Sequence, residues 1–141
     1  MVQKKSKKVL IIFSDFYPEI SENLINGAEL YLQSNNILFD KIRVDGSLEI
    51  PFVLHKFQNE YSGFVVLGCI VRGETDHYDV VKNISMNEIY SLVYKRVLPL
   101  GSAILTVNNL QQALERSDTK KKNFGGKAAM VCCNLIKILK S

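Results

Sequence analysis

Two stretches of this chain, residues 9–13 (Val-Leu-Ile-Ile-Phe) and 64–69 (Phe-Val-Val-Leu-Gly-Cys), contain no polar side chain, and this narrows the fold more than any other feature. A strand with one wet face alternates apolar and polar residues, whereas a strand that is apolar throughout must be covered on both faces, as in a parallel sheet between helix layers. Residues 9–13 are therefore expected to form a central first strand and 64–69 the third. Residues 39–44 and 103–107 supply two further strand candidates. Between them the apolar spacing turns helical. Ser21 can cap a helix whose stripe is Leu24, Ile25, Ala28, Tyr31 and Leu32, ended by Asn35-Asn36. Ile50, Val53, Leu54, Phe57 and Tyr61 follow at helical intervals around Pro51. A long helical segment runs from His77 to near Leu98, where Pro99 and Gly101 stop it. Residues 109–117 form a short helix and 119–123 a charged loop. A last helix opens at Gly125-Gly126-Lys127 and carries Ala128, Val131, Cys132, Leu135, Ile136 and Leu139 on one face. Four strands alternating with helices predict an α/β three-layer sandwich around a four-stranded parallel sheet.

At 141 residues the chain suits one domain, expected over residues 9–141. Its charge of +4 comes from Lys4, Lys5, Lys7 and Lys8, which read as a flexible basic tail over residues 1–8; beyond it, basic and acidic residues balance. That balance speaks against a nucleic-acid-binding domain, which needs a clustered positive face. No apolar run approaches the roughly 20 residues that span a bilayer, so no membrane partner is expected and the chain should stay in the cytosol. Cys69, Cys132 and Cys133 lack metal-binding spacing and read as buried free thiols. With only His55 and His77 available, a zinc site has little to build on. His55, beside Leu54 on the second helix, has no polar constellation nearby and reads as structural.

In open parallel sheets the ligand crevice lies outside the carboxyl ends of the strands. The segments that follow the strands here are polar and specific. Asp15-Phe16-Tyr17 follows the first strand, Gly46-Ser47-Leu48-Glu49 the second, and Arg72-Gly73-Glu74-Thr75-Asp76-His77 the third. An exposed aromatic, a carboxylate, a glycine turn at a helix start and a histidine should therefore converge on one rim. A glycine-rich phosphate cradle is absent, and Gly125-Gly126 reads as a site of close packing.

These residues resemble the lumazine synthase family. The resemblance rests on Phe16, Gly46-Ser47-Leu48-Glu49-Ile50-Pro51, residues 67–77 (Leu-Gly-Cys-Ile-Val-Arg-Gly-Glu-Thr-Asp-His), Leu105-Thr106 and Gln112-Ala113-Leu114-Glu115-Arg116. They occur in order from about Val9 to Leu139. It implies a flavodoxin-like fold and an enzyme that joins 5-amino-6-(D-ribitylamino)uracil to 3,4-dihydroxy-2-butanone 4-phosphate. The product is 6,7-dimethyl-8-ribityllumazine, the penultimate compound of riboflavin biosynthesis, made with neither metal nor organic cofactor. It also implies a homo-oligomer, either a pentamer or an icosahedral assembly of pentamers, with sites shared between subunits. By the same resemblance Phe16 stacks on the pyrimidine, and Ser47, Leu48 and Glu49 line the ribityl chain. Cys69, Ile70 and Val71 contact the pyrimidinedione through backbone groups. Glu74 and Thr75 present amides to the phosphate, Arg116 closes on it, and His77 moves protons. Two departures stand out: Ser102 falls where many members place a phenylalanine over the substrate, and Phe124 where many have a lysine. They keep a second reading open, a non-catalytic flavin- or lumazine-binding or shell-forming relative. A flavodoxin-like electron carrier would need a phosphate loop where residues 14–18 stand, and those residues do not resemble one.

Overall fold

The computed structural model describes residues 6–140. Four parallel strands, β1 (Val9–Ser14), β2 (Phe39–Val44), β3 (Gly63–Val71) and β4 (Leu100–Val107), lie in the order β2-β1-β3-β4. Five helices connect and cover them: α1 (Pro18–Ser34), α2 (Ile50–Phe57), α3 (His77–Arg96), α4 (Leu110–Ser117) and α5 (Phe124–Lys140). The arrangement is the expected three-layer, flavodoxin-like sandwich.

Strand alternation explains why the central runs are apolar throughout. Val9, Ile11, Val65, Leu67, Ala103, Leu105 and Val107 face one core with α1, α4 and α5. Leu10, Ile12, Phe64, Val66, Leu100 and Ile104 face the other with α2 and α3. Each strand thus feeds two cores at once. At the edge, β2 is mixed in polarity, and its Lys41 and Arg43 pair with Glu29 and Asp15; charges of this kind blunt an open sheet edge.

Several local expectations are corrected. Ser21 does not cap α1: the helix begins a turn earlier, with Pro18 in its first turn and Tyr17 at the N-cap, because the fixed φ of proline is already helical. Tyr61 lies beyond the end of α2 and instead donates a 2.7 Å hydrogen bond to Asp40. Gly101 belongs to β4 and is no helix stop. A side chain there would land on the Ala128 carbonyl, so its role is to let α5 lie close over the sheet. On α5 the buried stripe is Gly125, Gly126, Ala128, Ala129, Cys132 and Cys133, while Val131 and Leu139 face outward. Of the expected tail, residues 1–5 lie outside the described residues. Ser6 donates its amide to Glu60 O at 3.1 Å and Lys8 pairs with Asp40 at 3.4 Å, so the chain is tied to the domain before β1 begins.

Candidate active site

A cleft of about 410 Å³ opens at the carboxyl ends of the central strands. Phe16, Ser47, Leu48, Glu49, Cys69, Ile70, Val71 and His77 all line it, so eight of the expected residues meet there. Phe16, just before the proline that starts α1, is 72% exposed and braced edge-on by Tyr17 at 5.1 Å between centroids. A large apolar ring left in water at a cleft mouth is suited to stacking on a flat ligand. Ser47 and Glu49 belong to a single 3₁₀ turn, Ser47–Glu49, ahead of α2. Glycine matters on both sides of that turn. A Cβ at Gly68 would stand 3.0 Å from the Ser47 hydroxyl, and one at Gly46 would stand 3.1 Å from the Glu49 carboxylate.

The sheet itself contributes an edge of free backbone. Pairing of β1 with β3 ends at Phe13↔Leu67, while pairing of β3 with β4 continues to Val71↔Val107. Residues 68–71 therefore have no strand partner on the cleft side. Backbone donors and acceptors fixed at a strand end are a ready means of reading an imide or amide edge. The β3 strand reaches two residues further than its apolar run suggests, and this extension creates the edge. Cys69 adds little reactivity, since burial pushes its thiol up to about 11 and keeps it protonated near neutral pH.

Arg43 locks two walls of the cleft together. Its Nε lies 2.8 Å from both Asp15 carboxylate oxygens and its Nη1 donates to Asp45 at 3.1 Å. The hydrogen bonding from Arg43 Nε holds the Asp15 carboxyl below its usual value, against a smaller opposing effect of desolvation. Ser14, Tyr78 and Val81 also line the cleft and are not foreseen from sequence. Val81 sits four places after His77, so the helical spacing from a suspected catalytic residue could have found it, whereas Tyr78, one place on, carries no such signal.

The other expected residues lie elsewhere. Glu74 and Thr75 stand in an exposed turn before α3, where the Thr75 hydroxyl accepts the His77 amide at 3.3 Å. Ser102 and Arg116 line a separate depression of about 280 Å³ over β4, together with Met86, Tyr90 and Phe124. There Arg116 Nη1 donates to Gln112 O at 3.2 Å. His55 is exposed on α2 and lines neither opening. One chain thus holds the expected residues in two separate depressions and an exposed turn. The cleft lining contains Asp45, Glu49 and His77 but no lysine or arginine among the described residues. It has the features to hold a flat polar ring and to move a proton, and it lacks a strong cation for a phosphate.

Comparison with known proteins adds a consistent picture. Residues 6–140 match the family model described as 6,7-dimethyl-8-ribityllumazine synthase. A protein of that name from Bartonella tribocorum is 41% identical over 140 residues, covering 97% of this chain and 93% of its own. Those from Paramagnetospirillum magneticum and Agrobacterium fabrum are each 39% identical; both alignments cover 93% of this chain, with 93% and 95% of the respective relatives.

Proposed function

The chain belongs to the 6,7-dimethyl-8-ribityllumazine synthase family, and on that premise we propose that it condenses 5-amino-6-(D-ribitylamino)uracil with 3,4-dihydroxy-2-butanone 4-phosphate. It is a transferase of riboflavin biosynthesis. The observation that carries the reading at the level of the site is the cleft: an exposed ring at Phe16, a free backbone edge at residues 68–71, a carboxylate at Glu49 and an imidazole at His77 around one volume.

The reaction needs little more. The 5-amino group adds to the ketone carbonyl and water is lost to give an imine. Removal of a carbon-bound proton then expels inorganic phosphate by elimination. The enol left by elimination takes up a proton at its terminal carbon and becomes a new carbonyl; the ribityl-bearing nitrogen closes the second ring on it, and a second water leaves. Each step moves protons near neutral pH, a task suited to imidazole, and His77 at the first position of α3 is assigned to it. Phe16 stacks on the pyrimidine, the edge at Cys69, Ile70 and Val71 reads its carbonyl and N–H groups, and Ser47, Leu48 and Glu49 hold the ribityl hydroxyls. Orientation supplies most of the acceleration, since well-placed reactants reach effective molarities of about 10⁵ M or more.

The phosphate requires a cation, which the cleft lacks. Arg116 supplies it from a neighbouring copy, whose Ser102–Arg116 depression faces the cleft, while the exposed amides at Glu74 and Thr75 complete the cradle. A ring of identical subunits, a pentamer or an icosahedral shell of them, satisfies this head-to-tail geometry. Three free cysteines suit a reducing compartment, which supports the cytosol as the place of reaction. Among the described residues no helix is long and apolar enough to cross a membrane.

The decisive experiment mixes purified protein with both substrates and follows the absorbance and fluorescence of the lumazine product. Acceleration over the spontaneous reaction is expected. None, with folded protein, would overturn the assignment.

A further inference from the structure

From Arg72 to His77 every residue is exposed. A segment so placed gains no precision from burial, yet it delivers the imidazole on which the proposed chemistry depends. Something else must fix it, and the contacts of Arg72 are the strongest candidate. Its amide donates to Val107 O at 2.9 Å, which ties the residue to the end of β4. Its Nε donates to Asn108 Oδ1 at 3.2 Å, just beyond that strand. Its guanidinium carbon lies 4.3 Å from the centroid of the Tyr78 ring, and Nη1 is 3.9 Å from the Asp79 carboxylate. Tyr78 and Asp79 follow His77 directly in the first turn of α3.

One flat cation therefore bolts the start of α3 to the end of the sheet, across the turn at residues 73–76. The seat is firm on the helix side, because Tyr78 is only 6% exposed and packs in the core under α3. Lys82 also lies over this ring, at 5.0 Å, and contacts Asp79 at 3.7 Å, but it extends from α3 itself and so joins helix to helix. A lysine at position 72 would lack both the flat face for the ring and the fork that serves Asn108 and Asp79 together. Arg72 is absent from the cleft lining, so its route to the chemistry runs through the helix start.

We propose that Arg72 is a positioning residue: it sets the first turn of α3, and with it the place of His77, without touching substrate. The proposal rests on the assignment of His77 given above. The test is a double-mutant cycle in the product-formation assay, with Arg72→Gln made in the wild-type and His77→Ala backgrounds. In the wild-type background kcat should fall about tenfold or more, since small misplacements of a reacting group have large effects. The KM for the ribitylaminouracil should stay within about twofold. In the His77→Ala background the same substitution should change kcat by less than about twofold, because the group being positioned is gone. Arg72→Lys should restore little. Equal losses in both backgrounds would assign Arg72 to general stability and overturn the proposal. So would a loss confined to KM for the phosphorylated ketone, which would make it a phosphate ligand. A readout free of turnover separates this inference from the enzyme assignment. Carbethoxylation by diethyl pyrocarbonate, followed by peptide mass, should change in rate at His77 and not at His55 when Arg72→Gln is introduced. Unchanged rates at both would overturn the positioning role even if the protein makes no lumazine, and a selective change would support it.

Discussion

At the scale of single residues the site divides its labour between shape and charge, and the two respond differently to substitution. His77→Ala should slow turnover within the roughly 10² to 10⁴-fold range of a lost general acid or base, because the stacking ring and the strand edge still orient both substrates. Its rate should also depend less on pH near neutrality, which a pH–kcat profile measures; an unchanged profile would return His77 to a structural role. Arg116→Ala should act on binding. Losing a charge-assisted contact to a dianion typically costs about 2 to 5 kcal/mol, and the loss should fall on the phosphorylated ketone, with the ribitylaminouracil little affected. Isothermal titration with each substrate separates the two outcomes. Gly68→Ala is subtler: the new methyl would meet the Ser47 hydroxyl at 3.0 Å, a side chain that can yield. A raised KM for the ribityl substrate in a folded protein is therefore expected.

At the scale of elements, backbone contacts are less forgiving than side-chain ones. Gly101→Ala would drive a methyl into the main chain of α5 at Ala128, and neither β4 nor the helix can retreat without opening a core. A loss of about 3 kcal/mol or more in urea unfolding is expected, in contrast to Gly68→Ala. The link between β2 and the end of the α2 connection is electrostatic. Asp40 is held below its ordinary value first by the Tyr61 hydrogen bond and then by Lys8, while burial and Asp40 push the Tyr61 phenol up to about 12. A carboxyl lowered on folding stabilises the fold above its unfolded pKa and ceases to do so as pH falls through its folded pKa. Tyr61→Phe should therefore lower the urea midpoint near neutral pH and have little effect once Asp40 is protonated. The same elements show what a sequence discloses. The central strands were legible because residues 9–13 and 64–69 must be covered on two faces. The cleft residues were legible because strand ends in such a sheet share one rim. Ser21 misled because a capping residue and a buried serine in a first turn look alike, and Pro18 decided between them. The extension of β3 to Val71 was hidden, since its partner strand lies about 36 residues away in sequence.

At the scale of the whole molecule the notable fact is separation: the expected site residues line two different depressions. The cleft has acids, an imidazole and an aromatic ring, and the cation assigned to the phosphate in the proposed chemistry, Arg116, lies in a different depression over β4. Sequence could name both groups of residues without showing that one chain keeps them apart, because separation depends on how α4 and α5 close over the sheet. If each site joins the His77 side of one subunit to the Arg116 side of the next, His77→Ala and Arg116→Ala proteins cripple different halves. With the phosphorylated ketone held well below the KM that Arg116→Ala raises, each is nearly inactive in a uniform ring, where every interface carries the same defect. Co-expressed or refolded together, they would form interfaces of four kinds, and one kind pairs an intact His77 with an intact Arg116. Equal random mixing in a closed ring makes that kind roughly a quarter of all interfaces. Mixed assemblies, verified by differential tagging and mass, should therefore recover about a quarter of the wild-type rate per subunit. If they form and show only the mean of the two parents, both residues act within one chain, and the shared site is wrong even though each residue retains its own role.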